Sequence, residues 1–210
     1  MTPEARSPRA FYTETVPAQW NRTLAEQERA AAGDEAARKV LDGMRAVETT
    51  LCVEVEGEGG GTFFLNVRAG AMKAEDAPSA PALLTLLQDR HAFERIAAEA
   101  ADSALGLLGG LSGFTGDFKL TRSRMDNLAA ISGCLRLEVT GEDGFAFRVH
   151  FGGAPVPEAP DAQIKVTPEV YDDLRQGRLD AQSAFMGGQI DVSGDLQVAM
   201  QLALAALSPE

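Results

Sequence analysis

Apolar positions along this chain follow two rhythms, and the changes from one to the other mark out its elements. Ala37, Val40, Leu41, Met44 and Val47 recur at three- and four-residue spacing. That spacing puts one apolar stripe on a helix whose outer face holds Arg38, Asp42 and Arg45. Asp34, just after the break at Gly33, is its expected N-cap. Phe63, Leu65 and Val67 alternate with less apolar residues, as do Phe145, Phe147, Val149 and Phe151, so each set predicts a half-buried strand. Two short apolar runs, LLTLL and IKV, predict further strands, each leading to a helix capped by Asp89 or Thr167. The second cap is the better marked. Pro168 takes the first helical position, where a missing N–H costs nothing, and Glu169 faces the positive helix end. Residues 1–20, with Pro3, Pro8 and Pro17, show little periodicity and are expected as an arm, anchored by Phe11, Tyr12, Val16 and Trp20. From Thr23 the Ala, Glu and Arg content favours helix.

The pattern also repeats. LCVEVEGEGG (51–60) and LRLEVTGEDG (135–144) agree at six of ten positions, and each runs as a strand into a Gly-rich hairpin turn. A second strand, an Ala/Pro-rich connection (AMKAEDAPSAPA or APVPEAPDAQ), a short apolar strand and a capped helix follow in both. Each copy is then expected to close with a small-residue loop, a strand and a helix: GFTGDFKLTRSRMDNLAAI against AFMGGQIDVSGDLQVAMQLAL. The expected organisation is an N-terminal arm and helix over 1–35, a first copy over 36–133 and a second over 134–210, packed as a pseudo-symmetric α+β pair.

The last helix, Leu196 to Leu207, is the most informative element. Only Gln197 and Gln201 are polar, and they sit four apart on one narrow stripe. At roughly 18 Å it is too short for a membrane. It needs cover on two sides, and a sheet supplies one. Burial between the copies, a wall facing a lipid and contact with a second chain would each satisfy it.

With Ile164 to Val166, the helix through Leu174 to Gly177, Ala184-Phe185-Met186 with Gly188, Ile190 to Val192, Gly194-Asp195 and the apolar helix Leu196 to Leu207, the second copy resembles the sterol carrier protein-2 (SCP2) family of lipid-binding domains. The resemblance implies a five-stranded mixed sheet with helices on one face and a hydrophobic tunnel between them. It also implies binding of a fatty acid, acyl chain or sterol-like lipid without chemical change. The first copy keeps only Phe114 and Gly116 of the Phe-Met-x-Gly element and reads as a degenerate partner. On this reading the tunnel walls are Phe147, Val149, Phe151, Tyr171, Leu174, Phe185, Met186, Ile190, Leu196 and Met200. A filled-core scaffold or oligomerisation module of the same fold is the alternative.

Charge and chemistry narrow the field further. The formal net charge of -12 disfavours nucleic acid, whose phosphates are held by clustered Lys and Arg. It also limits membrane contact to a transient one, in contrast to the basic relatives that transfer lipids. Cys52 and Cys134 make no disulfide framework, and MTPEARSPRA has no apolar core to serve as a signal, so a cytoplasmic location is expected. His91 and His150, the two histidines, have no nucleophile or metal-ligand spacing around them. No catalysis, cofactor or metal is expected; the partner expected is a lipid or other apolar small molecule, with a homodimer as a further possibility. The Leu- and Gly-rich stretch from Ser103 to Gly113 has no counterpart in the second copy and is read as either a gate to the cavity or a loop packed on the body.

Overall fold

A computed structural model of the chain describes residues 7–99, 119–176 and 178–207. The expected gate, Ser103 to Gly113, lies outside the described residues. The fold is α+β, built among the described residues on one mixed eight-stranded sheet in the order β3-β2-β1-β4-β6-β5-β7-β8. Its strands are β1 (Glu48–Val55), β2 (Gly61–Arg68), β3 (Ala71–Glu75), β4 (Ala82–Gln88), β5 (Gly133–Val139), β6 (Phe145–Phe151), β7 (Ala162–Val166) and β8 (Ile190–Gly194). Each half contains an antiparallel hairpin, β1–β2 or β5–β6, whose first strand pairs in parallel with a later one, β4 or β7. The halves join where β4 runs antiparallel to β6, pairing Leu84 with Phe151, Leu86 with Val149 and Gln88 with Phe147. A five-stranded sheet was implied for the second half. It is instead continuous with the first, because β4 leaves no free edge between them.

Register fixes which side is apolar. Residues directly opposite in neighbouring strands share a face, so Phe63, Val53, Leu86, Val149, Leu135 and Ala162 form one row across six strands. Helices cover this face: α1 (Pro8–Ala10, continuing through a π-helical stretch Phe11–Thr15 into Val16–Ala31), α3 (Arg90–Glu99), α4 (Arg122–Ala129) and α5 (Pro168–Arg175) all contribute to one core with the strands. Helix α2 (Glu35–Arg45) packs instead on α1 through Leu41 and Met44 against Leu24 and Ala31. Asp34 caps it, accepting from the Ala36 N–H at 2.8 Å.

The segment expected as an arm is helical from Pro8 onward. Pro17 has no N–H for the carbonyl four residues back, and its ring crowds that carbonyl. The helix widens into a π turn over Phe11–Thr15 immediately before it. This irregularity masks the 3.6-residue rhythm, yet it aims Phe11, Tyr12, Val16 and Trp20 into the core, where all four are buried. At roughly 1.5–3 kcal/mol for each large apolar side chain, the helix is a principal source of stability. It also protects a sheet edge. Trp20 Nε1 donates to Gly70 O at 2.8 Å, Asn21 Nδ2 donates to Met72 O at 2.9 Å, and Met72 N donates to Asn21 Oδ1 at 2.9 Å. The Asn21 amide thus pairs with β3 as a neighbouring strand would.

Strand β3 lies within a stretch expected as a plain connection, and it extends the first half outward from β2. At the other end of that half, Lys119 to Thr121 are irregular, and the rest of the segment GFTGDFKL, where the repeat predicts a loop and a strand, lies outside the described residues. The connections after β3 and β6 both fold over the polar face. Asn66 Nδ2 donates to Ala77 O at 2.9 Å; at the matching register, His150 Nε2 lies 3.1 Å from Ala154 O and Arg148 reaches Pro157 O at 3.1 Å.

The two hairpins turn alike. Gly57 and Gly141 have φ of +93° and +106°, and a Cβ on Gly60 or Gly144 would lie 2.1 Å from Val55 O or 2.4 Å from Val139 O. Gly153 has nothing within 4 Å of that position. Gly60→Ala and Gly144→Ala are therefore each expected to cost about 2 kcal/mol or more in urea unfolding, while Gly153→Ala stays within about 0.5 kcal/mol. Equal midpoints for the three variants would contradict this account of the turns.

Candidate functional site

In the second half, successive strands build an apolar wall. Val139, Phe145, Val166 and Ile190 make one row of it; Phe147, Leu137, Ile164 and Val192 make the next. The opposite face carries Arg136, Glu138, Arg148, Gln163 and Lys165, tied by contacts such as Gln163 Nε2 to Glu138 Oε2 at 2.7 Å. Cover on the apolar side is uneven. Phe147 and Leu137 are buried, whereas Ile164 and Val192 are only half-buried among the described residues.

The expected wall residues separate accordingly. Phe147, Val149, Phe151 and Tyr171 lie inside the main core, with Leu174 and Ile190 partly buried against it. Tyr171 meets Phe145 edge-on at 5.5 Å, and Phe145 in turn stacks on Phe147. Phe185, Met186, Leu196 and Met200 are not walled in: their exposures are 47%, 79%, 47% and 53%.

Local chemistry explains how the covering elements are placed. Thr167 caps α5 by accepting from Val170 N, with Pro168 next as expected. Hydrogen bonds at this helix start hold the Glu169 carboxyl below its usual range. The stretch expected as a small-residue loop instead begins as a short helix, α6 (Ala181–Met186). Asp180 caps it, accepting from Ser183 N at 2.8 Å, and that bonding lowers its own pKa. Asp180 preceding AQSAFM, with Gly187 after it, is the sequence signal for this helix. Only Ala184 of its described side chains is buried, which turns Phe185 and Met186 outward.

Helix α7 (Leu196–Leu207) is set across the wall by Asp161. Asp161 Oδ2 accepts from Cys134 N at 2.7 Å, and its carbonyl accepts from Asp195 N at 2.7 Å. Gly194, at φ +83°, allows that approach: a Cβ there would lie 2.4 Å from Asp161 O. Asp195 then caps the helix at Gln197 N, 2.8 Å away. Val198 and Ala199 pack on Leu135 and Ala162, while Leu196 and Met200 remain exposed.

One polar pair sits inside the apolar core, and sequence reasoning missed it. Gln88, 3% exposed at the end of β4, donates from Nε2 to the Tyr12 hydroxyl. Among the described residues, its Oε1 has no hydrogen-bond partner. Tyr12 stacks on Phe63 at 5.5 Å and lies 5.0 Å from Phe11. The signal was present: LLTLLQ places a polar residue at the end of an otherwise apolar strand, on the alternation that faces Phe147.

His91 sits 3.2 Å from Gly144 O and joins α3 to the second hairpin; burial raises the pKa of both cysteine thiols. Among the described residues there is no group of His, Cys, Asp and Glu able to hold a metal, and no helix long and apolar enough to cross a membrane.

The motif-bearing helices, strand β8 and the Gly194-Asp195 corner all fall within one stretch with known relatives. Residues 114–206 match the SCP-2 sterol transfer family. Similar solved structures include palmitated SCP2L2 from Aedes aegypti (22% identity over 37% of this chain and 75% of that one, TM-score 0.31). Others are sterol carrier protein 2 like 2 from the same mosquito (19%, 55% and 96%, TM-score 0.33) and the apo form of sterol carrier protein 2 from Yarrowia lipolytica (16%, 55% and 86%, TM-score 0.29). No curated protein matches the chain.

Burial raises the Tyr12 pKa above its ordinary 10.0, and the Gln88 hydrogen bond offsets part of that rise. The folded state therefore keeps a proton that the unfolded chain sheds above pH 10, so stability falls as pH rises through that range. The urea midpoint of wild type is expected to drop more steeply above about pH 10 than that of Tyr12→Phe. Parallel curves for the two proteins would contradict it.

Proposed function

We propose that this protein is a lipid carrier that holds an elongated apolar ligand against the second-half wall, beneath α5, α6 and α7. The observation that carries the reading is the gradient along Phe147, Leu137, Ile164 and Val192, sealed at one end and half-covered at the other. An alkyl chain laid there gains about 0.8 kcal/mol for each buried methylene, which reaches micromolar affinity without any charge contact. Phe147, Val149, Phe151, Tyr171, Leu174 and Ile190 form the wall. Phe185, Met186, Leu196 and Met200 form an open rim, where thioethers adapt to varied alkyl shapes. The match to the SCP-2 sterol transfer family over this same region supports the reading. The 36–133 and 134–210 segments are copies of one unit on this proposal, supported by their like hairpins and by the parallel third strand of each.

The competing reading, a scaffold with a filled core, draws on the near-complete burial of Phe147, Val149 and Phe151. Native mass spectrometry of freshly isolated protein separates the two. Bound lipid is expected, and Ile164→Trp, which puts an indole on the half-covered part of the wall, is expected to weaken binding of a fluorescent fatty acid by about tenfold. Lipid-free protein, together with unchanged fluorescent-probe affinity in the variant, would favour the scaffold.

A further inference from the structure

The apolar row that carries the lipid reading does not stop at Phe147. Gln88 lies directly opposite Phe147 across the β4–β6 ladder, so the same row reads Gln88, Phe147, Leu137, Ile164, Val192. Its one polar member stands at the sealed end. Burying an amide oxygen without a partner costs about 1–3 kcal/mol, and an apolar residue of similar shape would avoid that cost. Linking α1 to β4 explains the Nε2 bond to Tyr12, but it does not explain Oε1, which accepts nothing from any described residue.

We propose that Tyr12 and Gln88 form a polar anchor for the head group of the bound lipid, and that this head group is an uncharged hydroxyl. The pair offers an acceptor, Gln88 Oε1, and a donor, the Tyr12 O–H, whose oxygen already accepts from Gln88 Nε2. A hydroxyl complements both, donating to the amide oxygen and accepting from the phenol. A carboxylate has no proton to give the amide oxygen. Its charge would also be buried beside two neutral groups, with no described hydrogen bond or ion pair bringing a cation to either.

The row also sets a length. It crosses from β4 through β6, β5 and β7 to β8, about 19 Å at the usual interstrand spacing. An all-trans chain advances about 1.25 Å per carbon, from bonds near 1.5 Å and angles near 111°, so roughly sixteen carbons span it. The ligand class is a long-chain alcohol, its hydroxyl reaching Gln88 once the buried Phe147 and Leu137 side chains move aside, and its tail running out past Val192 toward the exposed rim. This inference rests on the lipid-carrier reading above and adds the head group and its direction.

The test compares hexadecan-1-ol with palmitate as probes of the full chain at about pH 7, where palmitate is ionised. Wild type is expected to bind the alcohol about tenfold more tightly than the anion. Gln88→Leu and Tyr12→Phe should each remove most of that preference by weakening the alcohol, with palmitate affinity little changed. Tyr12→Phe retains the ring packing, so it serves if Gln88→Leu fails to fold, and a merely structural link would shift the melting temperature without altering the affinity ratio. A preference that survives both variants, or tighter palmitate binding in wild type, would overturn the anchor while leaving the carrier reading in place. Failure of wild type to bind either probe would overturn that reading and the anchor with it.

Discussion

The ladder between β4 and β6 is the constraint on which the rest of the structure depends. Antiparallel pairing there puts Leu84, Leu86 and Gln88 on one surface with Phe151, Val149 and Phe147. Two half-sheets that would each expose an edge become one sheet with a single apolar face. Such a face is stable only where something apolar lies on it. The fold is largely a set of answers to that demand, and the answers differ from one end to the other.

Over the first half the answer is complete. Helix α1 supplies Phe11, Tyr12, Val16 and Trp20, and α3 adds Phe93, whose ring lies 5.6 Å from that of Phe11. Asn21 closes the β3 edge with the same helix. Over the second half the cover comes from shorter elements held at their ends. Thr167, Asp180 and Asp195 each start a helix with a side-chain cap, and Asp161 fixes where the last one crosses the sheet. Capping places a helix without filling the space below it. Ile164, Ile190 and Val192 accordingly remain half-buried.

How legible this was in the sequence depended on whether local rules decided the outcome. The hairpins were readable because Gly60 and Gly144 stand where any side chain would strike a carbonyl. Thr167-Pro168-Glu169 announced α5 for equally local reasons. The N-terminal helix was not readable, because Pro17 and the π turn break the rhythm that its buried aromatics would otherwise show. Strand β3 is short and lies among Ala and Pro, and only its pairing with β2 and its cover by Asn21 make it a strand. The burial of Phe147, Val149 and Phe151 on β6 followed from alternation, a property of one strand. The outward turn of Phe185 and Met186 follows from how α6 meets β8, and a pattern of apolar letters does not encode that.

The contrast between the two ends bears on what an interior polar group is for. In a sheet covered by its own helices, a buried amide can be satisfied within the fold, as Thr50 and Asn66 show: Thr50 Oγ1 donates to Asn66 Oδ1 at 2.7 Å, and Asn66 Nδ2 donates to Glu75 at 2.6 Å and to Ala77 O. Gln88 lies on the opposite, apolar face and is satisfied on one side only. Both residues sit on strands of the same half and both are buried, so depth does not distinguish them. Their directions do: Asn66 faces a connection rich in backbone donors and acceptors, whereas Gln88 faces the row that leads to the half-covered wall. On the proposed reading, the unused acceptor of that amide is the group an incoming hydroxyl would meet.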